Sequence, residues 1–159
     1  MASLLETLRE TPEEEKVPTR WVTVWDEEAS IGAPKLEAEI AYLDPDDWER
    51  MARPFKKGIQ FGLMWVQLLP SKDRTRLLTG FLKKILKNTR GLGRKNLARI
   101  SGAYLNKPAA LAKVPEEIEF SEEVLEDLAA LINHDTFTIL QTLATDTNEF
   151  GVAVQAKND

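Results

Sequence analysis

The chain lacks cysteine altogether and contains one histidine, His134. Without thiols, neither a disulfide framework nor a thiolate metal site is possible. A single imidazole also excludes a histidine-rich metal site. Since His134 falls at the corner between two predicted helices, we expect it to be a structural residue and not a catalytic one.

Long hydrophobic runs are also absent. The longest apolar stretch, "FGLMWVQLLP", is too short to span a bilayer. The first residues are acidic at Glu6 and Glu10 and lack the basic start and apolar core of a signal peptide. We therefore expect a soluble, intracellular protein with no membrane partner, and its 159 residues are about one domain by length.

No group of residues has the pattern of a catalytic site. Ser71 and Ser121 precede predicted helices, where a serine caps the free amides. No acidic cluster has the spacing of a calcium loop, and "GLGRKN" lacks the lysine–serine/threonine end of a phosphate-binding loop. We expect no enzymatic activity, no catalytic residues, no cofactor and no metal.

Charge is strongly segregated along the chain, whose net charge is −5. Residues 1–52 hold 5 Lys/Arg and 14 Asp/Glu, residues 53–113 hold 15 and 1, and residues 114–159 hold 1 and 11. Three explanations stay open: the acidic ends fold over the basic middle, the middle binds nucleic acid, or it binds an acidic protein.

Two segments near the N-terminus have the alternation of half-buried strands. Residues 20–26 alternate Trp21 and Trp25 with valines, and residues 36–42 alternate apolar residues with Glu37 and Glu39. The loop between them predicts a β-hairpin over 20–43. We expect the two tryptophans to pack against helices, with an aromatic face for a partner as the alternative.

Most of the remaining chain has helical periodicity. A helix begins after Asp44, residues 58–70 are apolar nearly all round and favour a buried helix, and residues 72–88 form a basic amphipathic helix. Two more helices are predicted, capped by Ser121 and by Asp135.

These elements predict a mainly α protein of the α+β class, a helical domain with an N-terminal β-hairpin. We expect a flexible acidic arm over residues 1–19, a single domain over 20–150 and a frayed tail over 151–159.

Three stretches resemble the tail assembly chaperones of tailed bacteriophages. "KLEAEIAYLDPDDWERMA" is similar to that family's strand and helix start, and "ILKNTRGLG" to its middle helix and glycine turn. "VPEEIEFSEEVLEDLAALINHDTFTILQTLATDTNEF" is similar to its last two helices. The family often has a tryptophan where Arg90 stands here.

The resemblance implies a non-enzymatic chaperone in the cytoplasm of an infected bacterium. Such proteins bind the long, apolar, helical tape-measure protein before the tail tube polymerises around it, and a frameshifted product of many members contacts the tail-tube protein. A homo-oligomer stays open. The residues assigned to partner binding are the aromatic ones of the hairpin and the helices that follow: Trp21, Trp25, Tyr42, Trp48 and Trp65.

Two alternatives remain. One is a small structural virion protein, such as a connector or tail-completion protein. The other is a nucleic-acid-binding regulator that uses the basic segment 53–113. Its candidate contacts lie on the middle helix and the glycine turn: Arg76, Lys83, Lys84, Lys87, Arg90, Arg94 and Lys95.

Overall fold

The computed structural model describes residues 18–101 and 107–150. In this part of the chain, a three-stranded antiparallel sheet packs against helices, which confirms the α+β class. Most of the predicted arm, residues 1–17, and the predicted tail, residues 151–159, lie outside the described residues. Thr19 already belongs to the first strand.

The predicted hairpin is present. Strand β1 spans Thr19–Trp25 and pairs with strand β2, Leu36–Ala41, with Val22 opposite Ala38. The alternation of burial follows the sequence, because Val22 and Val24 are buried whereas the tryptophans on either side of them are half-buried. One face of the hairpin therefore covers the core.

A third strand corrects the predicted end of the middle helix. That helix was expected over residues 72–88, but it ends at Ile85, and Leu86–Arg90 continues without a loop as strand β3. Strand β3 pairs with β2, which becomes the centre of the sheet. Leu86 is buried in the strand and also fits the apolar stripe of the predicted helix, so the apolar pattern alone could not locate this boundary.

The α-helices of the described residues are four to fifteen residues long. In chain order they are α1 (Pro45–Ala52), α2 (Met64–Gln67), α3 (Ser71–Ile85), α4 (Arg94–Ile100), α5 (Pro108–Leu111), α6 (Glu122–Leu131), α7 (His134–Ala144) and α8 (Thr147–Phe150). Short 3-10 helices occupy Ala29–Ile31 and Arg53–Phe55.

Side-chain caps fix several helix starts. The Asp44 carboxylate accepts a hydrogen bond from the amide of Asp46 at 2.8 Å, and the Ser121 hydroxyl accepts one from Val124 at 3.2 Å, as predicted. The predicted cap at Asp135 is wrong. Helix α7 begins earlier, and the Asn133 side chain accepts a hydrogen bond from the Thr136 amide at 2.9 Å.

An aromatic cluster lies at the centre of the core. The Phe81 ring lies 5.2 Å from Phe137 and 5.7 Å from Trp48, centroid to centroid, and the two phenylalanine rings meet edge to face. These side chains come from α3, α7 and α1, so the cluster joins three helices separated in sequence. Each edge-to-face aromatic pair stabilises the fold by about 0.5–1.5 kcal/mol beyond the contribution of apolar burial.

The glycine turn after β3 is explained by packing. A Cβ at Gly91 would overlap the carbonyl oxygen of Lys35, and a Cβ at Gly93 would overlap that of Glu116. The backbone there passes directly against two other segments. Close backbone packing thus accounts for both glycines of "GLGRKN", and no phosphate-binding role is needed to explain them.

Candidate interaction surface

The segment between α1 and α3 is the largest departure from the sequence prediction. Residues 58–70 were expected to form a buried helix, but they run over the outside of the protein with one helical turn, α2. Four large apolar side chains are exposed there: Ile59 (85%), Phe61 (86%), Met64 (59%) and Leu68 (79%). We call these four residues the apolar surface.

Glycine explains why this segment leaves the core. Gly58 and Gly62 have φ angles of 71° and 69°, in the left-handed region that side chains disfavour. They break the apolar run into pieces too short for a stable helix. The two glycines were the one signal in the sequence that argued against a continuous buried helix.

Two residues anchor the segment to the core. Trp65 and Val66 are buried, and the Trp65 ring packs 6.4 Å from that of Trp48. The Trp65 indole nitrogen also donates a hydrogen bond to the Gly62 carbonyl at 3.1 Å, which closes the turn on itself. The buried contacts of Trp65 and Val66 therefore hold the segment that carries the apolar surface.

A cavity lies beside the surface. It has a volume of about 160 Å³ and is lined by residues that flank α2: Phe55, Lys57, Gln60, Trp65, Leu68, Leu69 and Pro70. One water molecule needs about 10–15 Å³ of such a volume, so this cavity has room for an apolar side chain of a partner. The exposed residues therefore lie next to a pocket, an arrangement that is common at protein–protein interfaces.

The charges around the apolar surface are basic. Residues 53–72 contain Arg53, Lys56, Lys57 and Lys72 and no acidic residue. The Lys56 ammonium lies 3.0 Å from the carboxylate of Glu49 and 5.6 Å from the Trp65 ring centroid, so part of this charge is held against the anchor. Lys57 and Lys72 are exposed.

Two of the residues assigned to partner binding are in the core. Trp48 and Trp65 are each 5% exposed. The Trp48 ring, on α1, packs against Phe81 and against the ring of Trp65, on α2. Their assignment to a partner-binding surface is therefore wrong in this conformation. Trp65 instead supports the apolar surface from beneath.

The other three assigned residues are half-buried and lie apart. Trp21 is covered by the guanidinium of Arg90, 3.7 Å from its ring centroid. Trp25 donates a hydrogen bond to the Thr136 hydroxyl at 3.2 Å, and Tyr42 meets Phe150 edge to face at 5.6 Å. Each residue thus has an intramolecular partner, and the structure does not bring them into one patch.

The predicted basic surface is also divided. Lys83 lies 3.5 Å from Glu126 of α6, and the Arg94 guanidinium donates to the Val114 carbonyl at 2.8 Å. Lys95 borders a groove shared with Glu116 and Glu117. The remaining assigned residues are exposed on α3 and β3: Arg76, Lys84, Lys87 and Arg90. Part of the basic middle therefore faces acidic groups or carbonyls of the same chain.

Within residues 18–101 and 107–150, no three His, Cys, Asp or Glu side chains converge to hold a metal ion. None of the helices described has the length and hydropathy that a membrane crossing requires.

Comparison with known proteins finds no matching family model, no matching curated protein and no matching solved structure.

Proposed function

We propose that this protein is a non-enzymatic binding protein that covers an apolar helical segment of another protein. The exposure of Ile59, Phe61, Met64 and Leu68 carries the proposal. Large apolar side chains exposed together on a protein surface commonly mark an interaction site. Each one contributes about 1.5–3 kcal/mol when it leaves water for an apolar contact.

The resemblance to tail assembly chaperones supplies the identity of the partner in this proposal. A tape-measure protein is long, helical and apolar, and it must stay in solution until tail-tube subunits enclose it. A fixed apolar surface beside a cavity suits the helix-in-groove mode, in which the side chains of one helix face enter a groove. No cofactor takes part in such binding.

The test is co-expression with the partner proposed here, a long, helical, apolar protein encoded beside this gene. We expect the wild-type chain to keep that product in solution and to co-purify with it. The double variant Phe61→Asp/Leu68→Asp should lose both effects, because two carboxylates would have to be desolvated in the interface.

Ile31→Asp is the matched control, since Ile31 is a large exposed apolar residue outside the apolar surface. Thermal unfolding should be the same for all three chains. Capture that survives Phe61→Asp/Leu68→Asp would exclude the apolar surface as the binding site. Presence of the protein at fixed copy number in purified virions would favour the structural virion protein instead.

A further inference from the structure

The four side chains of the apolar surface are 59–86% exposed in the chain by itself. Exposed patches of this kind cause aggregation unless something covers them. The segment that carries these side chains is basic, and Lys57 and Lys72, which flank them in sequence, are exposed. An occupant of matching chemistry would carry an apolar stripe next to acidic residues.

The chain contains one segment with this chemistry before β1. Residues 1–17 hold three leucines at helical spacing, Leu4, Leu5 and Leu8. Their acidic residues outnumber the basic ones five to two, and three of the acidic ones are consecutive: Glu6, Glu10, Glu13, Glu14 and Glu15. This segment matches the apolar surface in both hydrophobicity and charge.

The point of attachment allows contact. The amide of Tyr42 donates to the Pro18 carbonyl at 3.1 Å, so the described chain starts close to the residues that lead into α1. Helix α1 has eight residues, about 12 Å of rise, and the 3-10 helix Arg53–Phe55 adds about 6 Å before the apolar segment. Ten extended residues reach about 33 Å, enough to bring Leu8 to the apolar surface from Pro18.

We propose that residues 1–17 dock through Leu4, Leu5 and Leu8 on the apolar surface of the same chain and compete with the partner for it. This inference rests on the proposed function for the identity of the competitor. A short tether gives an effective concentration in the millimolar range, so even a weak contact keeps the surface covered. A partner with a longer apolar stripe displaces the segment.

The first experiment measures affinity with the full chain. The probe is a fluorescently labelled leucine–alanine amphipathic peptide. Leu4→Ser/Leu5→Ser/Leu8→Ser should bind it about tenfold more tightly than wild type, the factor for a surface covered nine-tenths of the time. The matched control Ala2→Ser/Thr7→Ser/Thr11→Ser leaves the stripe intact and should bind like wild type. Equal affinity of all three chains for the peptide would overturn the proposal.

The second experiment detects docking without a partner. Because the chain has no cysteine, Ser3→Cys and Gln60→Cys place two spin labels uniquely. Docking predicts a short, narrow distance distribution that broadens in Phe61→Asp/Leu68→Asp. A broad distribution in the otherwise wild-type chain would overturn docking, as would a dipolar signal found only between singly labelled chains, which would mean exchange between copies.

The two experiments separate the two proposals. If the peptide binds neither the wild type nor the leucine variant, the proposed function fails, while the spin-label distance still decides whether residues 1–17 dock. If the peptide binds both with the same affinity and the labels stay far apart, the docking proposal fails and the proposed function stands.

Discussion

The aromatic cluster in the core and the apolar surface both consist of large apolar side chains but lie in opposite environments. Phe81 is fully buried between α1 and α7, whereas Phe61, only twenty positions earlier, is 86% exposed. Helices α1, α3 and α7 each turn one face toward a common centre. The segment around Phe61 has left-handed turns at both ends of a short loop and places only two anchors inside. Backbone geometry, and not hydrophobicity, separates the two regions.

The comparison is tested most strongly by truncating the two phenylalanines. Phe81→Ala should lower the free energy of unfolding by about 3–5 kcal/mol, because it removes buried contacts and leaves a cavity. Phe61→Ala should change it by less than about 0.5 kcal/mol, as surface substitutions do. Urea denaturation followed by circular dichroism measures both, and similar losses for the two variants would place Phe61 in the core.

Two glycines make a second matched pair. Gly93→Asn should destabilise the protein by about 1–3 kcal/mol, since any side chain there meets the Glu116 carbonyl. Gly62→Asn should cost less than about 1 kcal/mol, because asparagine tolerates a positive φ and the space around Gly62 is open. Denaturation midpoints compare them, and the reverse order would mean that the segment around Gly62 is the more tightly packed one.

The hydrogen bond from Trp25 to Thr136 joins β1 to α7 and should have a moderate effect. Trp25→Phe keeps an aromatic ring but removes the donor, and we expect a loss of about 0.5–1.5 kcal/mol. Thr136→Val should lose a similar amount, and the double variant should lose less than the sum. Full additivity in denaturant unfolding would show that the two side chains are not coupled.

Among these changes, loss of the contact between Arg90 and Trp21 should have the smallest effect on stability. A guanidinium over a half-buried indole at the protein surface contributes about 0.5–1 kcal/mol. Arg90→Gln should lower the stability by that amount and shift tryptophan fluorescence, whereas Arg90→Gln in a Trp21→Leu background should have almost no effect. A loss that persists in that background would assign the role of Arg90 to another contact.

The elements predicted from sequence were those with a local signal. The hairpin follows from alternation at Val22 and Val24, and α1 and α6 follow from the caps at Asp44 and Ser121. The third strand escaped prediction because Leu86 suits both a helical stripe and a buried strand position. Its conformation is set by pairing with β2, a contact distant in sequence.

The apolar surface could not be predicted from composition. The residues assigned to a partner were the aromatic ones of the hairpin and the helices that follow, but Trp48 and Trp65 are buried in the core. The exposed residues Ile59 and Phe61 belong to a run with no polar face, which is also typical of a buried helix. Only the two glycines within that run, Gly58 and Gly62, argued against one continuous buried helix.

The direct passage from α3 into β3 affects the order in which the sheet can assemble. Strands β1 and β2 are neighbours in sequence, but a two-stranded hairpin is marginal in water. The third strand is available only after residues 42–85 have been made. Its pairing with β2 is a contact of high sequence separation, which slows folding. During synthesis, the three-stranded sheet therefore cannot be complete until Arg90, the last residue of β3, has emerged from the ribosome.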